Sequence, residues 1–375
     1  MKIVITGARG VIGWHASSHL YAKNCAAKFE GLVELFDIVR LDHAAFADQH
    51  RLKTALQNAD AVLHFAGVNR APDLEVERAN PDIARALVLA CRAVGVTPHI
   101  VYANSTHAIS DTPYGRSKRI AGEILAASTP HYTNLILPHI FGECARPNYN
   151  NVTATLIDQI INGHEPTVNS DGKVSLLHAG VVAQAAINAV TNKIYGAVAP
   201  QPRPTSVLDL LAQLQTLHAD YTTNVFPDFK DAFQVQMFNS YRAALYPSGF
   251  PRLLKINEDQ RGTLFEAAKG GGGGQSFLSW TKPSVTRGNH FHLHKVERFL
   301  VLQGNAMIRV RRVFGNEVWE YPVSGEQPAA VDMPTLHTHS IENIGVEPLL
   351  TLFWTNEIFD PQAPDTYFDP VLKAK

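Results

Sequence analysis

Residues 2–13 read KIVITGARGVIG, a short apolar run followed by three glycines. The run Ile3–Thr6 has the length and composition of a buried strand, and Gly7, Gly10 and Gly13 follow it at regular intervals. Glycines at this spacing allow a tight turn and let the backbone approach a pyrophosphate at the N-terminus of the next helix. The segment therefore predicts a strand–turn–helix unit that binds a dinucleotide, with an ordinary glycine-rich turn as the alternative.

Around this unit, short apolar runs alternate with longer segments of helical spacing. The strand-like runs are Ile3–Thr6, Val33–Ile38, Ala61–Ala66, His99–Ala103 and Leu135–Pro138. The helical segments are Leu74–Val94, Pro113–Ala127, Val152–Asn162, Gly180–Val190 and Ser206–Leu217. Strands that alternate with helices are typical of a doubly wound parallel sheet, so we predict an α/β Rossmann domain in the N-terminal part of the chain.

The pattern changes near Tyr246–Pro251. The β-rich runs beyond this point are short and separated by turn residues: Phe277–Thr281, Phe299–Leu302, Met307–Arg312, Glu317–Val323 and Leu349–Asn356. Because no long helical pattern accompanies them, they predict an all-β barrel or sandwich. We therefore expect two domains, residues 1–246 and residues 247–375, with a mobile loop at Gly270–Gly274 between two strands of the second.

Length and composition limit the classes of function. A chain of 375 residues suits two domains of about 100 to 250 residues each. Its 33 basic and 34 acidic residues give no net field that would attract nucleic acid or an anionic membrane. Three scattered cysteines argue against a disulfide framework, and no apolar run resembles a signal peptide or a membrane span. We expect a cytoplasmic protein without nucleic-acid or membrane partners.

A second motif begins at the predicted helix Pro113–Ala127. Tyr114 and Lys118 are four residues apart and so share one face of the helix. A lysine ammonium beside a phenol lowers the pKa of the phenol. The phenol is then prepared to give a proton to a carbonyl oxygen as hydride arrives. Ser105 lies nine residues upstream of Tyr114, where its hydroxyl can hydrogen-bond the same oxygen. Thr106 is the alternative if the register differs by one residue.

These motifs together resemble the extended short-chain dehydrogenase/reductase superfamily. The elements that carry the resemblance are the Thr6–Gly13 turn, Asp60-x-x-x-His64-x-Ala66-Gly67, Asn80, Ser105 and Tyr114-x-x-x-Lys118. The resemblance implies that Ser105, Tyr114 and Lys118 form the catalytic set and that Lys118 also holds the nicotinamide ribose. It further implies that Asn80 supports this lysine.

The cofactor is expected to be NADPH. Arg40 follows the second predicted strand, where a guanidinium can pair with a 2′-phosphate. Asp37 and Asp42 lie nearby and would accept from a 2′-hydroxyl in the alternative, NADH. By the same resemblance, the residues that line the cofactor are His64, Ala66 and Gly67.

A separate set of residues near the end of the chain has the character of metal ligands. His290 and His292 are two residues apart, so both imidazoles point to one face of a strand. Glu297 opens the next apolar run, and His339 lies in a later strand pair. Three imidazoles and a carboxylate suit a divalent metal, for which we expect zinc, with iron, manganese and nickel as alternatives. The spacing resembles the two motifs of the cupin superfamily, which implies a jelly-roll barrel.

Three neighbours of these ligands bear on the metal site. His294 and His337 each form a further His-x-His pair with a proposed ligand. They are proton carriers, outer partners or solvated side chains. Leu336 stands where many cupins have glycine, a departure that bears on the local turn more than on the ligand.

Both halves in this order resemble one family, the bifunctional capsular polysaccharide enzymes of the CapF type. The segments that carry this resemblance are Gly67–Arg70, Asn104–Ser105, Arg146–Asn150, Asp259–Gly262, Lys282–Pro283, Gly288–His292 and the tail from Asn356 to Tyr367. In that family the cupin domain epimerises C3 of a UDP-2-acetamido-2,6-dideoxy-4-hexulose, and the reductase domain reduces the C4 ketone with NADPH. The implied product is a UDP-2-acetamido-2,6-dideoxy-L-talose, on the route to UDP-N-acetyl-L-fucosamine for capsule or O-antigen polysaccharide.

Several points stay open from the sequence. The base of the epimerisation is Lys295, His294 or His337. The residues expected to bind the diphosphate or the sugar are Arg146, Asn148 and Tyr149, with a structural loop as the alternative. A homodimer is expected by resemblance alone. Two other functions remain: a ketosugar reductase whose cupin domain is a structural, dimerising module, and a non-catalytic sensor of a sugar nucleotide.

Overall fold

The structure, a computed structural model, describes residues 1–229, 231–270 and 273–373. The chain divides into two compact units. Unit 1 comprises residues 1–156 and 167–210, and unit 2 comprises residues 157–166 and the chain from residue 211 onward. The expected domain boundary at residue 246 stays a prediction. Two residues of the expected glycine loop, Gly271 and Gly272, lie outside the described residues.

Unit 1 is built on parallel strands with helices between them. Its strands are β1 Lys2–Thr6, β2 Asp37–Leu41, β3 Ala61–His64, β4 His99–Ser105, β5 Tyr132–Leu137, β6 His139–Phe141, β7 Lys173–His178, β8 Gly196–Val198 and β9 Arg203–Ser206. The helices of this part of the chain are α1 Val11–Phe29, α2 Gln49–Leu56, α3 Asp73–Ala93, α4 Pro113–Ala126, α5 Val152–Ile161, α6 Ala179–Thr191 and α7 Val207–Thr222. The last residues of α5 and most of α7 belong to unit 2.

The main sheet of unit 1 has the strand order β2-β1-β3-β4-β5-β8, and every pair in it is parallel. Alternate residues of each strand face opposite sides of the sheet. Ile3 and Ile5 of β1 pack in the layer that contains α1 and α6, whereas Val4 packs in the layer that contains α2, α3 and α4. The chain leaves β1 for β2 on one side and returns to β3 on the other, which creates the crevice where ligands of such sheets bind.

Unit 2 is mainly antiparallel. Its strands are β10 Val225–Phe226, β11 Arg252–Leu253, β12 Ile256–Asp259, β13 Gly262–Phe265, β14 Lys269–Gly270, β15 Gln275–Thr281, β16 Thr286–Phe291, β17 Glu297–Gln303, β18 Asn305–Arg312, β19 Val318–Ser324, β20 Ala329–Met333, β21 His337–Asn343, β22 Leu349–Thr355 and β23 Tyr367–Phe368, and α8 is Ala232–Ala244. Two five-stranded sheets form the barrel, in the orders β11-β20-β17-β22-β15 and β19-β18-β21-β16-β23.

The core of the barrel is filled by inward-facing residues of both sheets. Phe299 and Phe353 come from the first sheet, and Ile308 and Ile341 come from the second. The predicted fold class, a parallel Rossmann sheet followed by an all-β cupin barrel, is therefore confirmed. Among the residues that the structure describes, none of the helices has both the length and the apolar character needed to cross a membrane.

Candidate functional site

The glycine turn lies between β1 and α1, and its backbone requires glycine. Gly7 has a φ of +67°, and a Cβ there would lie 2.7 Å from the Ala66 nitrogen. A Cβ on Gly13 would lie 2.3 Å from the Gly7 carbonyl oxygen. Gly10 is the N-cap of α1 and offers no side-chain acceptor, so the first N–H groups of this helix are available to a phosphate.

Two arginines lie at this turn. Arg40 is within β2, and its guanidinium donates to the Ala8 carbonyl at 3.1 Å and to the Ser17 hydroxyl at 3.2 Å. Arg9, which sequence reasoning missed, has a side chain that is 81% exposed and lies 3.6 Å from Asp42. Arg40 thus ties the turn to β2, while Arg9 presents a guanidinium to solvent. Asp37, the alternative acceptor for a ribose hydroxyl, is exposed at the start of β2.

The predicted catalytic hydroxyls lie at the carboxyl end of β4. Ser105 is the last residue of β4 and is 8% exposed, whereas Thr106 is exposed at the start of a short 3₁₀ helix. Burial raises the pKa of Tyr114, and a hydrogen bond with Ser105 opposes this rise. The structure thus brings Ser105 and Tyr114 together and turns Thr106 away. Thr112 caps α4 by accepting from the Gly115 N–H at 3.1 Å, which fixes where Tyr114 enters the helix.

Lys118 is buried beneath this pair. Its ammonium donates to the Ala103 carbonyl at 2.5 Å and lies 4.3 Å from the centre of the Tyr102 ring. Burial lowers the pKa of Lys118 to about 7. His64 is also buried, at 1% exposure, and it hydrogen-bonds the Thr6 hydroxyl at 2.8 Å. Its ring therefore supports the loop after β3, and its role in lining the cofactor stays a prediction. Of the next predicted residues, Ala66 is partly exposed and Gly67 is exposed.

Asn80 connects this loop to α4. Its side chain accepts from the Val68 N–H at 2.9 Å and donates to the Val68 carbonyl and to the Ser117 hydroxyl, each at 2.9 Å. A Cβ on Gly67 would lie 2.7 Å from the Asn80 oxygen and 4.0 Å from the Lys118 ammonium. Asn80 thus contacts two neighbours of Lys118: Ser117, which precedes Lys118 in the sequence, and the loop after β3.

The three predicted substrate-binding residues share the loop after β6. The Arg146 guanidinium lies 5.1 Å from the centre of the Tyr149 ring, and Asn148 donates from its N–H to the Thr155 hydroxyl at 2.9 Å. Arg70 donates to the Asn148 carbonyl, so the loop meets the segment that follows β3. Arg146, Asn148 and Tyr149 are exposed, which leaves their polar groups accessible to a ligand.

The predicted metal ligands come together between the two sheets of the barrel. His290 lies in β16, His292 follows it, Glu297 begins β17 and His339 lies in β21. The ligand atoms of all four residues lie within 4.8 Å of one another. Glu297 Oε2 lies 3.1 Å from His292 Nε2 and 3.2 Å from His339 Nε2.

This donor set fits a divalent cation. His339 donates its Nδ1 hydrogen to the His337 carbonyl at 3.2 Å, so in the neutral ring Nε2 presents a lone pair to Glu297. Burial lowers the pKa of His339, and burial with the neighbouring imidazoles holds the pKa of His290 well below its usual value. Neutral imidazole lone pairs directed at a carboxylate favour a cation among them.

The turn before β21 is formed without the expected glycine. Leu336 has a φ of +60° and is fully buried. Its N–H donates to the His292 carbonyl at 2.8 Å, and its carbonyl accepts from the Val313 N–H at 3.1 Å. The departure from the cupin pattern therefore leaves a left-handed turn in place beside the ligands.

The three candidate bases of the barrel differ in their surroundings. His337 is 1% exposed, with its ring 5.6 Å from that of Trp319, and Lys295 is buried with its ammonium donating to the Pro364 carbonyl at 2.6 Å. The His294 side chain is 59% exposed and lies 3.2 Å from Asp365. Of the three, His294 has the most direct access to solvent protons.

Comparison with known proteins gives matches along the whole chain. Residues 3–199 match the NAD dependent epimerase/dehydratase family, and residues 257–367 match the polysaccharide biosynthesis C-terminal domain. The chain is 30% identical over 378 residues to the UDP-2-acetamido-2,6-beta-L-arabino-hexul-4-ose reductase of Pseudomonas aeruginosa, with 98% of both proteins covered.

Two similar crystal structures have comparable coverage. The capsular polysaccharide assembling protein CapF from Staphylococcus aureus is 29% identical, with a TM-score of 0.58, over 99% of this chain and 100% of that one. A structure of CapF with the inhibitor 3-isopropenyl-tropolone is 29% identical, with a TM-score of 0.53 and the same coverage.

Proposed function

Because the chain belongs to the NAD-dependent epimerase/dehydratase family and, along its length, to the CapF family, we propose that it is a bifunctional nucleotide-sugar enzyme. Its substrate is a UDP-2-acetamido-2,6-dideoxy-4-hexulose. The barrel epimerises C3, and unit 1 reduces the C4 ketone to give a UDP-2-acetamido-2,6-dideoxy-L-talose, on the route to UDP-N-acetyl-L-fucosamine. The printed name of the P. aeruginosa relative, a reductase of a UDP-hexulose, supports this substrate class.

In the reduction, bound NADPH would supply the hydride. The Tyr114 phenol gives its proton to the C4 oxygen, and the Ser105 hydroxyl hydrogen-bonds the same oxygen. The Lys118 ammonium would donate to the ribose of the cofactor. Arg9 and Arg40 provide positive charge where a 2′-phosphate would lie, which favours NADPH over NADH. Arg146, Asn148 and Tyr149 bind the UDP-sugar.

The observation that supports the reductase is the hydrogen bond between Ser105 and Tyr114 at the carboxyl end of β4, with the Lys118 ammonium bonded to Ala103 of the same strand. Its test is the loss of NADPH absorbance with the UDP-4-hexulose. Loss of a general acid lowers turnover by roughly 10²–10⁴-fold, so Tyr114→Phe should show a loss of that size. Tyr195→Phe, which changes an exposed tyrosine of the same unit, should not. A wild-type enzyme that oxidises no NADPH would contradict the proposed substrate.

The observation that favours an epimerase is the buried set of three imidazoles and a carboxylate. The C4 ketone acidifies the C3 proton, and a bound metal would supply Lewis-acid stabilisation of the resulting enolate. The residues that would hold the metal are His290, His292, Glu297 and His339, with zinc expected. His294 exchanges the proton with solvent because it is the most exposed of the three candidate bases.

The epimerase and the structural-barrel alternative differ in one measurement. The exchange of the C3 proton for solvent deuterium should occur in the wild type and be lost in His292→Ala, together with the bound metal. A matched control is His164→Ala, which replaces an exposed histidine outside the barrel. If exchange continued in a metal-free His292→Ala variant, the barrel would be a structural module and not an epimerase. A homodimer stays an expectation from family resemblance.

A further inference from the structure

The end of the chain packs against the residues that carry the metal ligands. β23 pairs with β16, with Phe368 opposite His290. The Asp369 N–H donates to the Asn289 carbonyl at 2.8 Å, so the contact extends beyond the strand. This C-terminal segment is thus part of the wall of the metal cluster.

Within this segment, Asp365 contacts the metal loop through both its backbone and its side chain. Its carbonyl accepts from His292 Nδ1 at 2.5 Å. Its carboxylate accepts the N–H groups of three consecutive residues, at 2.9 Å from Leu293, 3.0 Å from His294 and 2.9 Å from Lys295. Asp365 is only 3% exposed, so these bonds are shielded from competing water.

The bond to the Asp365 carbonyl fixes the tautomer of His292. A carbonyl can only accept, so Nδ1 carries the hydrogen, and in the neutral ring Nε2 presents its lone pair. That Nε2 lies 3.1 Å from Glu297 Oε2, in the centre of the cluster. Histidines that bind metals almost always donate their other ring N–H in this way. We propose that Asp365 is the positioning residue that makes His292 a metal ligand, by setting its tautomer and by holding the loop that carries it.

The same reasoning separates this cluster from another His–Glu–His group, buried in unit 1. There, His15 and His178 lie 3.3 Å and 2.8 Å from Glu143. His178 Nδ1 accepts from the Gly180 N–H at 3.2 Å, so its Nε2 carries the hydrogen and donates to Glu143. No lone pair of His178 faces the group, and the contact between His178 and Glu143 is a hydrogen bond. Proximity of ligand atoms therefore does not make a metal site without the correct outer partner.

This inference rests on the proposed metal function, and its test is the affinity of the full-length chain for zinc. Affinity is measured by competition with a chromophoric chelator. Asp365→Ala keeps the backbone carbonyl but removes the carboxylate that accepts three N–H groups of the loop, so the carbonyl and His292 are no longer held in register. Disruption of an outer partner lowers metal affinity by roughly 10- to 100-fold, and we expect a loss of that size in Asp365→Ala. Asp360→Ala is the matched control, because Asp360 lies in the same segment and, within the described part of the chain, accepts from its neighbours Gln362 and Ala363. Its affinity should equal that of the wild type.

Asp365→Asn is the second variant, in case the alanine variant does not fold. Both variants keep the backbone carbonyl, but asparagine also keeps one side-chain oxygen and tolerates the φ of +40° at this position. Its amide hydrogens would face the N–H groups of His294 and Lys295, so an intermediate loss of zinc affinity is expected.

Nitrogen NMR of the metal-free wild type gives an independent reading. The expected spectrum has the hydrogen of His292 on Nδ1. A hydrogen on Nε2, or unchanged zinc affinity in both Asp365 variants, would overturn the role of Asp365 while leaving the metal site intact. A wild type that binds no zinc or other divalent metal would overturn the metal function itself, and the role of Asp365 with it.

Discussion

Leu336 occupies a left-handed backbone conformation beside the metal cluster, with its side chain fully buried. Two effects oppose each other when this side chain is removed. Truncation of a buried leucine costs about 2–5 kcal/mol, whereas relief of a left-handed conformation returns about 1–2 kcal/mol. The buried side chain therefore outweighs the backbone strain, which explains how leucine is tolerated at a position where glycine is common.

This balance predicts an unusual order of stability. Leu336→Gly should be less destabilised than Leu336→Ala by about 1 kcal/mol, because only glycine relieves the backbone. At an ordinary position the order is the reverse, since glycine loses more conformational entropy on folding than alanine. Urea unfolding of both variants measures the difference. An alanine variant that is the more stable of the two would show that Leu336 is not strained.

Lys118 predicts a dependence of stability on pH. Burial lowers its pKa to about 7 in the folded protein. A lysine in an unfolded chain has a pKa of about 10.4, so between these values the unfolded state binds one proton more. Stability that depends on Lys118 is therefore flat below pH 7 and rises as the pH increases toward about 10.

The comparison is with Lys118→Met, which removes this titration. The stability of the wild type minus that of the variant, measured by urea unfolding without NADPH, should increase over that range of pH. A difference that stays constant with pH would contradict a depressed pKa.

The chemistry of individual residues was predictable where the motif was local. Tyr114 and Lys118 lie one helical turn apart, so their relative position followed from the sequence. The sequence left open the choice between Ser105 and Thr106, and the structure favours Ser105, because it is buried whereas Thr106 is exposed. Arg9 was missed because a single arginine within a glycine turn has no pattern of its own. Asp365 was missed as well, because its partners are about 70 residues away in the chain.

At the scale of elements, polarity and exposure explain the errors of prediction. The run Val33–Ile38 was expected to be the second strand, but β2 is Asp37–Leu41, paired with β1. Val33 is 84% exposed. An apolar run on the surface has the composition of a strand, and only its pairing with a neighbouring strand shows whether it is one. The bounds of β21 were not predicted beyond a strand pair at His339, because its sequence, HTHSIEN, is polar. The strand is nevertheless almost wholly buried, since it lies between β18 and β16 in the second sheet of the barrel.

A buried ion pair joins two strands of the barrel to α7. The Arg298 guanidinium of β17 donates to Asp332 of β20 at 2.6 Å and 2.7 Å, and Tyr221 donates to the same carboxylate. Removal of one partner of a buried pair typically costs about 3–5 kcal/mol because it leaves the other charge uncompensated.

Arg298→Ala should therefore lower the free energy of unfolding by about 3–5 kcal/mol. The control is Arg261→Ala, which breaks an exposed ion pair with Asp259, and it should leave the unfolding midpoint unchanged. Urea unfolding followed by circular dichroism measures both. Equal midpoints for the two variants would mean that the Arg298–Asp332 pair contributes no more than a surface contact.

At the scale of the whole molecule, the proposed function places two sets of groups in one chain, one for reduction and one for metal binding. The first lies at the carboxyl edge of the parallel sheet of unit 1, and the second lies between the sheets of the barrel. Each set could be proposed from the sequence because its motif is compact and its spacing is specific. Residues from 211 onward, including α8, form one compact unit with the barrel, a grouping that depends on tertiary contacts.

The most direct test of two activities in one chain is the isotopic pattern of the product. The wild type is incubated with the UDP-4-hexulose and NADPH in deuterium oxide, and NMR locates the deuterium. Epimerisation in the barrel predicts deuterium at C3, and hydride transfer from NADPH predicts protium at C4. With Tyr114→Phe, the ketosugar should gain deuterium at C3 without being reduced. A reduced product that carries protium at C3 would contradict the account, because reduction would then occur without epimerisation.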